Sequence, residues 1–223
     1  MKPKLLIFDV NETLLDLTPL KESINQLLGS ENAFDDWFSK LIQFAMVETL
    51  AGKYSDFGDI GVATLKMTAE KFQKNISEEE IKFSLKIIKE LQPYPEVKSA
   101  LEVLKSEGFK LVALTNGSME TLKQQMKFSR LDSIFDALYS VESVRKFKPH
   151  PDTYNHVLKA EQTKAEHALL IAAHAWDIAG AQSTGMQTAF IKRKGKFVYP
   201  KAKKPNLICE DFDELYKKLQ NEV

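Results

Sequence analysis

Six short apolar runs punctuate the chain: Leu5 to Phe8, Leu111 to Leu114, Ala137 to Tyr139, Leu169 to Ala172, Thr188 to Ile191 and Leu207 to Cys209. Runs this brief, closed by polar or turn-forming residues, predict buried strands rather than helices. Between them the apolar positions recur at helical spacing. Val97, Leu101 and Leu104 form one stripe that stops at Gly108; Met119, Leu122 and Met126 form a second; Tyr154, Val157 and Leu158 form a third. Strand and helix alternating in this way predict an α/β fold, a Rossmann-like doubly wound parallel sheet.

The interval from Asp16 to Gln92 breaks that rhythm. Leu20, Ile24, Leu27 and Leu28 make a helical stripe, and the same period continues through 41–50, 60–72 and 81–91 without a strand-like run. The pattern predicts an all-helical cap domain over 16–92, inserted after the first strand into a core formed by 1–15 and 93–223. The segment "LQPYPEV" closes the insertion, because Pro93 and Pro95 cannot sit inside a helix and stiffen the return to the core.

Composition narrows the function classes. The 223 residues are 43% hydrophobic and 28% charged, enough for one large core with a smaller insertion. Lys plus Arg and Asp plus Glu are both 31, and a formal charge of zero argues against a general nucleic-acid binder. Cys209 is the single cysteine, which excludes an internal disulfide and fits a reducing compartment. The apolar stretch in "MKPKLLIFDV" is too short for a signal peptide or a membrane span, so a soluble, cytoplasmic protein without a membrane partner is expected. The basic run "KRKGKFVYPKAKK", 192–204, reads as a solvated loop between the last two strands, with anion steering as the alternative.

Ligands of an open parallel sheet bind beyond the carboxyl ends of its strands. The first strand is followed by Asp9, Asn11, Glu12 and Thr13, and the second by Thr115, Asn116, Gly117 and Ser118. Lys146 and Lys148 follow the third, and His174, Trp176 and Asp177 follow the fourth. One rim therefore collects carboxylates, a lysine and a histidine. His150, His156 and His167 have no metal-ligand spacing and are expected to be exposed.

The segments "FDVNETLLD", "LTNGS", "KFKPHPDTY" and "AAHAWDIAGAQSTGMQTAFI", in that order, resemble the four motifs of the haloacid dehalogenase superfamily. "HAWDIAGA", the "KPHPDTY" spacing and "GKYSDF" at 52–57 are similar to its L-2-haloacid dehalogenase branch. The resemblance implies a helical cap over the site, an Asp nucleophile at Asp9, and a motif lysine that keeps Asp9 ionised. Lys148 fits that lysine better than Lys146, by the "KP" step and the six-residue spacing to Tyr154. Thr13 and Thr115 match small hydroxyl positions that bond the nucleophile or the substrate carboxylate. Asn116, with the amides of Gly117 and Ser118, is expected to cradle the substrate's anionic end. Asp177 is expected to orient Lys148, or else to cap a helix starting at Ile178. Trp176 is a candidate pocket wall, Phe57 and Ile42 match pocket-lining positions with a helical core role as the alternative, Tyr154 is taken with them as a substrate-side residue, and a homodimer is implied.

Two absences bear on the reaction. Phosphatases of the superfamily place an Asp two residues after the nucleophile to protonate the leaving group; here Asn11 stands there, and an amide cannot serve. They also bind magnesium with further acids of the last motif, where this chain has Ala172 and Ala173. Halide needs neither a proton nor a metal to leave. The expectation is a cofactor-independent hydrolytic dehalogenase that converts a small (S)-2-haloalkanoic acid to the inverted 2-hydroxy acid through an ester on Asp9. The alternatives are a magnesium-dependent phosphatase of a small phosphate ester and a non-catalytic binding protein. The chain also departs from the branch. Phe38 occupies the position of its halide-receiving arginine, and Ala172 and His174 stand where it has Ser and Asn. Glu12 and His174 border the same rim, and the chain resembles a subgroup in which such a pair activates the hydrolytic water.

Overall fold

The computed structural model describes residues 2–221. Its six strands are β1 (Leu5–Phe8), β2 (Lys110–Thr115), β3 (Ala137–Ser140), β4 (Ala168–Ala172), β5 (Gln187–Ile191) and β6 (Leu207–Cys209). They form one parallel sheet in the order β3-β2-β1-β4-β5-β6. Every residue of β1 and β4 is buried, as expected for central strands covered on both faces. Helices α5 (Val97–Ser106), α6 (Met119–Phe128), α7 (Pro151–Ala160), α8 (Ala175–Ser183) and α9 (Phe212–Asn221) make the crossovers and the C-terminal cover. The strand order reverses between β1 and β4, so the crevice for a ligand opens between their carboxyl ends.

Between β1 and α5 the structure contains only helices: α1 (Thr18–Leu28), α2 (Ala33–Leu50), α3 (Phe57–Lys71), α4 (Glu78–Lys86) and a 3-10 turn, Ile87–Lys89. Polar side chains cap the starts of α3 and α4, ahead of their apolar stripes. The Asp56 side chain accepts from Gly58 N–H at the start of α3, and Ser77 and Glu80 form a reciprocal capping box for α4. The chain leaves and returns through one neck, where Asp16 N–H donates to Gln92 O at 2.9 Å and Tyr94 N–H to Leu14 O at 3.0 Å. No helix among the described residues is long and apolar enough to cross a membrane.

The basic run corrects an expectation. Phe197 and Tyr199 are exposed, but Arg193 turns inward. Its guanidinium bonds Thr13 O at 2.9 Å and Glu96 Oε1 at 2.7 Å, and lies 3.6 Å from the centre of the Tyr94 ring. The buried backbone carbonyl of Thr13 needs a donor, and a guanidinium can meet it while also pairing a carboxylate. The three remaining histidines are half-buried rather than exposed, and His150 caps α7 by accepting from Asp152 N–H through Nδ1 at 3.2 Å.

Candidate active site

Asp9 ends β1 at the switch point and is 5% exposed. Its two oxygens are held differently. Oδ1 accepts from Lys148 Nζ at 2.7 Å; Oδ2 accepts from Thr13 Oγ1 at 2.7 Å and meets His174 Nδ1 at 2.9 Å. Thr13 Oγ1 also accepts from the Ala173 backbone N–H at 2.9 Å, so its own proton is committed to Asp9. That hydroxyl ties the loop after β1 to the end of β4.

Lys148 has all three ammonium protons placed, on Asp9 Oδ1, on Asp177 Oδ2 at 2.7 Å and on Leu114 O at 3.1 Å. Lys146, its competitor in the sequence, pairs with Asp152 at the surface. Burial works against charge on Lys148, yet Asp177 and Asp9 raise its pKa above the usual lysine value. Asp177 lies within the first turn of α8, which starts at Ala175, so it is not the cap of a helix beginning at Ile178. Its Oδ1 accepts from the Tyr154 hydroxyl at 2.5 Å. Burial raises the pKa of Asp177 against the pull of Lys148.

Tyr154 is therefore a support beneath Asp177 and not a substrate-side residue: it is fully buried and lines neither hollow at the site. Gly180 makes room for it, since a Cβ there would come within 2.5 Å of the tyrosine oxygen.

His174 and Glu12 do meet. His174 Nε2 lies 2.9 Å from Glu12 Oε2, and Glu12 Oε2 also accepts from Lys196 Nζ at 2.6 Å. Glu12 reaches up because its backbone is left-handed, φ 59°, a conformation that costs a non-glycine residue on the order of 1 kcal/mol. The His174 ring is sandwiched by Phe38, at 6.1 Å between centres, and Trp176, at 4.9 Å. The aromatic side chain at 38 thus packs directly on the histidine.

One line of alternating hydrogen-bond donors and acceptors results, Tyr154–Asp177–Lys148–Asp9–His174–Glu12–Lys196, crossing the switch point from the protein interior to the solvent side. Burial alone would raise Asp9, but Lys148 and His174 hold it far below the usual carboxylate range. Burial would lower His174, but Asp9 and Glu12 raise it from 6.5 to about 9. Burial opposes charge on Glu12 too, and His174 and Lys196 lower its pKa.

At neutral pH the resting site therefore pairs an Asp9 carboxylate with a His174 imidazolium that donates through both ring nitrogens. Because the folded pKa of His174 is raised, its contribution to stability is complete below about pH 6.5 and is lost as pH rises through about 9. A shift from 6.5 to about 9 corresponds to roughly 3 kcal/mol. Urea melts at pH 6 and pH 10 should show the wild type losing that margin and His174→Gln losing much less.

Asn11 and Asn116 face the site with known orientation. Gln125 Nε2 donates to Ile88 O at 2.8 Å, and a carbonyl can only accept; its second proton therefore goes to Asn11 Oδ1, at 2.9 Å. The Lys148 backbone N–H likewise assigns Oδ1 of Asn116, at 2.9 Å. Both amides turn their NH₂ groups away from these partners. Asp9, Asn11, Phe38, Ile42, Phe57, Thr115, Asn116, Lys148, His174 and Trp176 enclose a hollow of about 20 Å³, about the size of one water. Asn11, Phe38 and Phe57 also line an apolar chamber of about 100 Å³ between α2, α3 and α6.

One of the two backbone amides of the anion cradle expected at the start of α6, that of Gly117, is used by the protein itself, as is the neighbouring amide of Met119. Gly117 N–H donates to Thr115 Oγ1 at 3.1 Å, and Met119 N–H to Glu142 at 2.5 Å. Thr115 serves this turn and the wall of the hollow rather than bonding Asp9. Lys196, Arg193 and Gln125 are the site residues that sequence reasoning missed. The first two follow β5, whose carboxyl end lies on the same rim, and that position was the available signal.

The haloacid dehalogenase-like hydrolase family matches residues 6–191. The chain is 29% identical to haloacetate dehalogenase H-2 of Moraxella sp. (strain B) over 196 residues, 87% of this chain and 88% of that protein. It is 28% identical to (S)-2-haloacid dehalogenase 1 of Pseudomonas sp. (strain CBS-3), over 85% of each. Its fold matches that of L-2-haloacid dehalogenase from Xanthobacter autotrophicus, a structure with chloropropionic acid covalently bound, with a TM-score of 0.91 at 22% identity, over 99% of this chain and all of the other.

Proposed function

From membership of the haloacid dehalogenase-like hydrolases, the family to which this chain belongs, we propose that it hydrolyses small (S)-2-haloalkanoic acids to inverted 2-hydroxy acids. The observation that carries the reading is an ionised Asp9 clamped between two cations, with the Asn11 amide where a phosphatase would need an acid.

In the first step Asp9 attacks C2 from the side opposite the halogen. A carbon–oxygen bond forms, the carbon–halogen bond breaks with its electron pair, and halide departs. The NH₂ groups of Asn11 and Asn116 are the donors available to a leaving anion in place of the missing arginine. The apolar walls, Phe38, Phe57, Ile42 and Trp176, exclude water and strengthen those contacts. The substrate takes the space beside Asn11, Phe38 and Phe57, which line both the hollow and the apolar chamber, with these walls parting to admit it.

Ester formation removes the Asp9 charge, and His174 loses one of its two carboxylate partners. The imidazolium then releases its Nδ1 proton to solvent. This is the one proton per turnover that conversion of a haloacid and water to a hydroxy acid and halide requires. Neutral His174, its Nε2–H held by Glu12, next takes one proton from the water that attacks the ester carbonyl; the bond from that carbonyl carbon to the substrate oxygen breaks, the departing alkoxide takes the water's second proton to become the hydroxy acid, and Asp9 is restored as a carboxylate beside the His174 imidazolium. Glu12 positions the base; Lys148, itself positioned by Asp177 and Tyr154, and Thr13 hold Asp9.

Magnesium does not fit this donor set. Both Asp9 oxygens already face cations, and no group of three His, Cys, Asp or Glu side chains among the described residues is arranged to hold a metal ion. The reading accordingly needs no cofactor. It includes a division into a core, 1–15 with 93–223, and a cap, 16–92, supported by the shared neck. It also includes a cytoplasmic homodimer, for which the family resemblance is the support.

With (S)-2-bromopropionate in EDTA, halide and the inverted hydroxy acid should appear together, and p-nitrophenyl phosphate with magnesium should yield no phosphate. Phosphate without halide would overturn the reading.

A further inference from the structure

Lys196 lies outside the four motifs, in the run that reads as a solvated loop. The structure gives it a built position instead. The loop is fixed by Arg193, and Lys196 N–H closes a tight turn on Arg193 O at 2.9 Å, with Gly195 at φ 76° supplying the left-handed residue that the turn requires. The turn directs Lys196 Nζ onto Glu12 Oε2, the oxygen that His174 Nε2 also contacts. The same ammonium lies 5.5 Å from the centre of the Phe38 ring, which stacks on His174. Surface ion pairs contribute little, but this one has side chains only 22% and 13% exposed and shares its carboxylate oxygen with the catalytic histidine.

Resting on the dehalogenase reading above, we propose that Lys196 is a positioning residue for the hydrolytic half of the reaction. It pins Glu12 in its left-handed loop and offsets the negative charge that Glu12 turns on His174. The physical case is a matter of balance. Glu12 must hold the imidazole in place, yet an uncompensated carboxylate 2.9 Å away would keep the ring protonated after Asp9 is esterified. A second cation on the same oxygen keeps the hydrogen bond and weakens the field. The other titratable groups around His174 are Asp9 at the end of β1, Lys148 after β3 and Asp177 on its own helix. Asp9 meets the ring at Nδ1 and is joined there to Lys148 and, through it, Asp177, away from the Nε2 that faces Glu12, and α2 contributes the uncharged Phe38. Lys196 is therefore the group placed to tune the Glu12 side.

The test is a rapid-quench comparison of wild type, Lys196→Met and Lys196→Arg with (S)-2-bromopropionate, with melting temperatures to establish folding and Lys196→Gln as the replacement if the Met variant is unfolded. In Lys196→Met, first-turnover halide release should stay within about twofold while hydroxy-acid release slows about tenfold or more and the Asp9 ester accumulates. The pH midpoint of the second step should move upward, and arginine should restore both. Equal slowing of the two steps, or no slowing, would overturn the proposal. An NMR titration of the His174 ring in the free protein separates the two levels of inference. A wild type that releases no halide defeats the dehalogenase reading and the half-reaction with it. An unshifted imidazole in Lys196→Met defeats the role of Lys196 even in an active dehalogenase.

Discussion

Asp9→Asn should abolish halide release from (S)-2-bromopropionate, with a fall on the order of 10⁴-fold or more. The amide keeps the shape of the side chain, so the variant should still fold, and circular dichroism separates lost chemistry from lost structure. The amide is not a nucleophile, however, and it removes the anion on which Lys148 and His174 converge. With the partner gone, His174 is left with Glu12 alone and its titration midpoint should fall from about 9. A chloride- or bromide-selective electrode measures the first effect and NMR the second. Halide release at the wild-type rate would mean that another group attacks the substrate, and the site described here would then be wrong.

The second large effect belongs to His174. His174→Ala should still form the ester, because the nucleophile, Lys148 and Thr13 are retained, but hydrolysis should slow by about 10²- to 10⁴-fold, the range expected on losing a general base. Intact-protein mass spectrometry of the substrate-treated variant should show one added 1-carboxyethyl group, mapped by peptide analysis to Asp9. In the wild type, hydroxy-acid formation should rise with pH as the imidazolium of the ester intermediate loses its proton, and the alanine variant should lose that dependence. Absence of the adduct with turnover unchanged would remove His174 from the mechanism. The two variants are complementary: one blocks formation of the ester, and the other blocks its removal.

Much of this arrangement was legible before any coordinates. The strand ends predicted from the apolar runs deliver Asp9, Lys148, His174 and Asp177 to one rim because a parallel sheet presents all its carboxyl ends on the same side. Lys148 was separable from Lys146 by motif spacing, and the structure gives the reason: one has three buried acceptors, the other a surface aspartate. Tyr154 could not be placed correctly, because a buried hydroxyl and a substrate-facing hydroxyl have the same helical spacing. The basic run misled for a similar reason. Lysine-rich composition is the mark of a solvated loop, and nothing local states that Arg193 and Lys196 find acceptors on a loop 180 or more residues away.

The role of Asn11 shows the division most clearly. Its identity, read from sequence, argued against a phosphatase. Its orientation, with Oδ1 toward Gln125 and the NH₂ turned away from it, depends on Gln125 and on a carbonyl at the end of the helical insertion. Residue type and position along a strand are local properties, and the sequence by itself determined the fold class, the placement of Asp9 at the end of the first strand as the proposed nucleophile, and the absence of an acid at Asn11. Charge state, hydrogen-bond direction and enclosure depend on groups brought together from distant segments. The tertiary structure alone therefore decided that His174 rests as a cation between Asp9 and Glu12, that Phe38 packs on it, and that Lys196 completes the line.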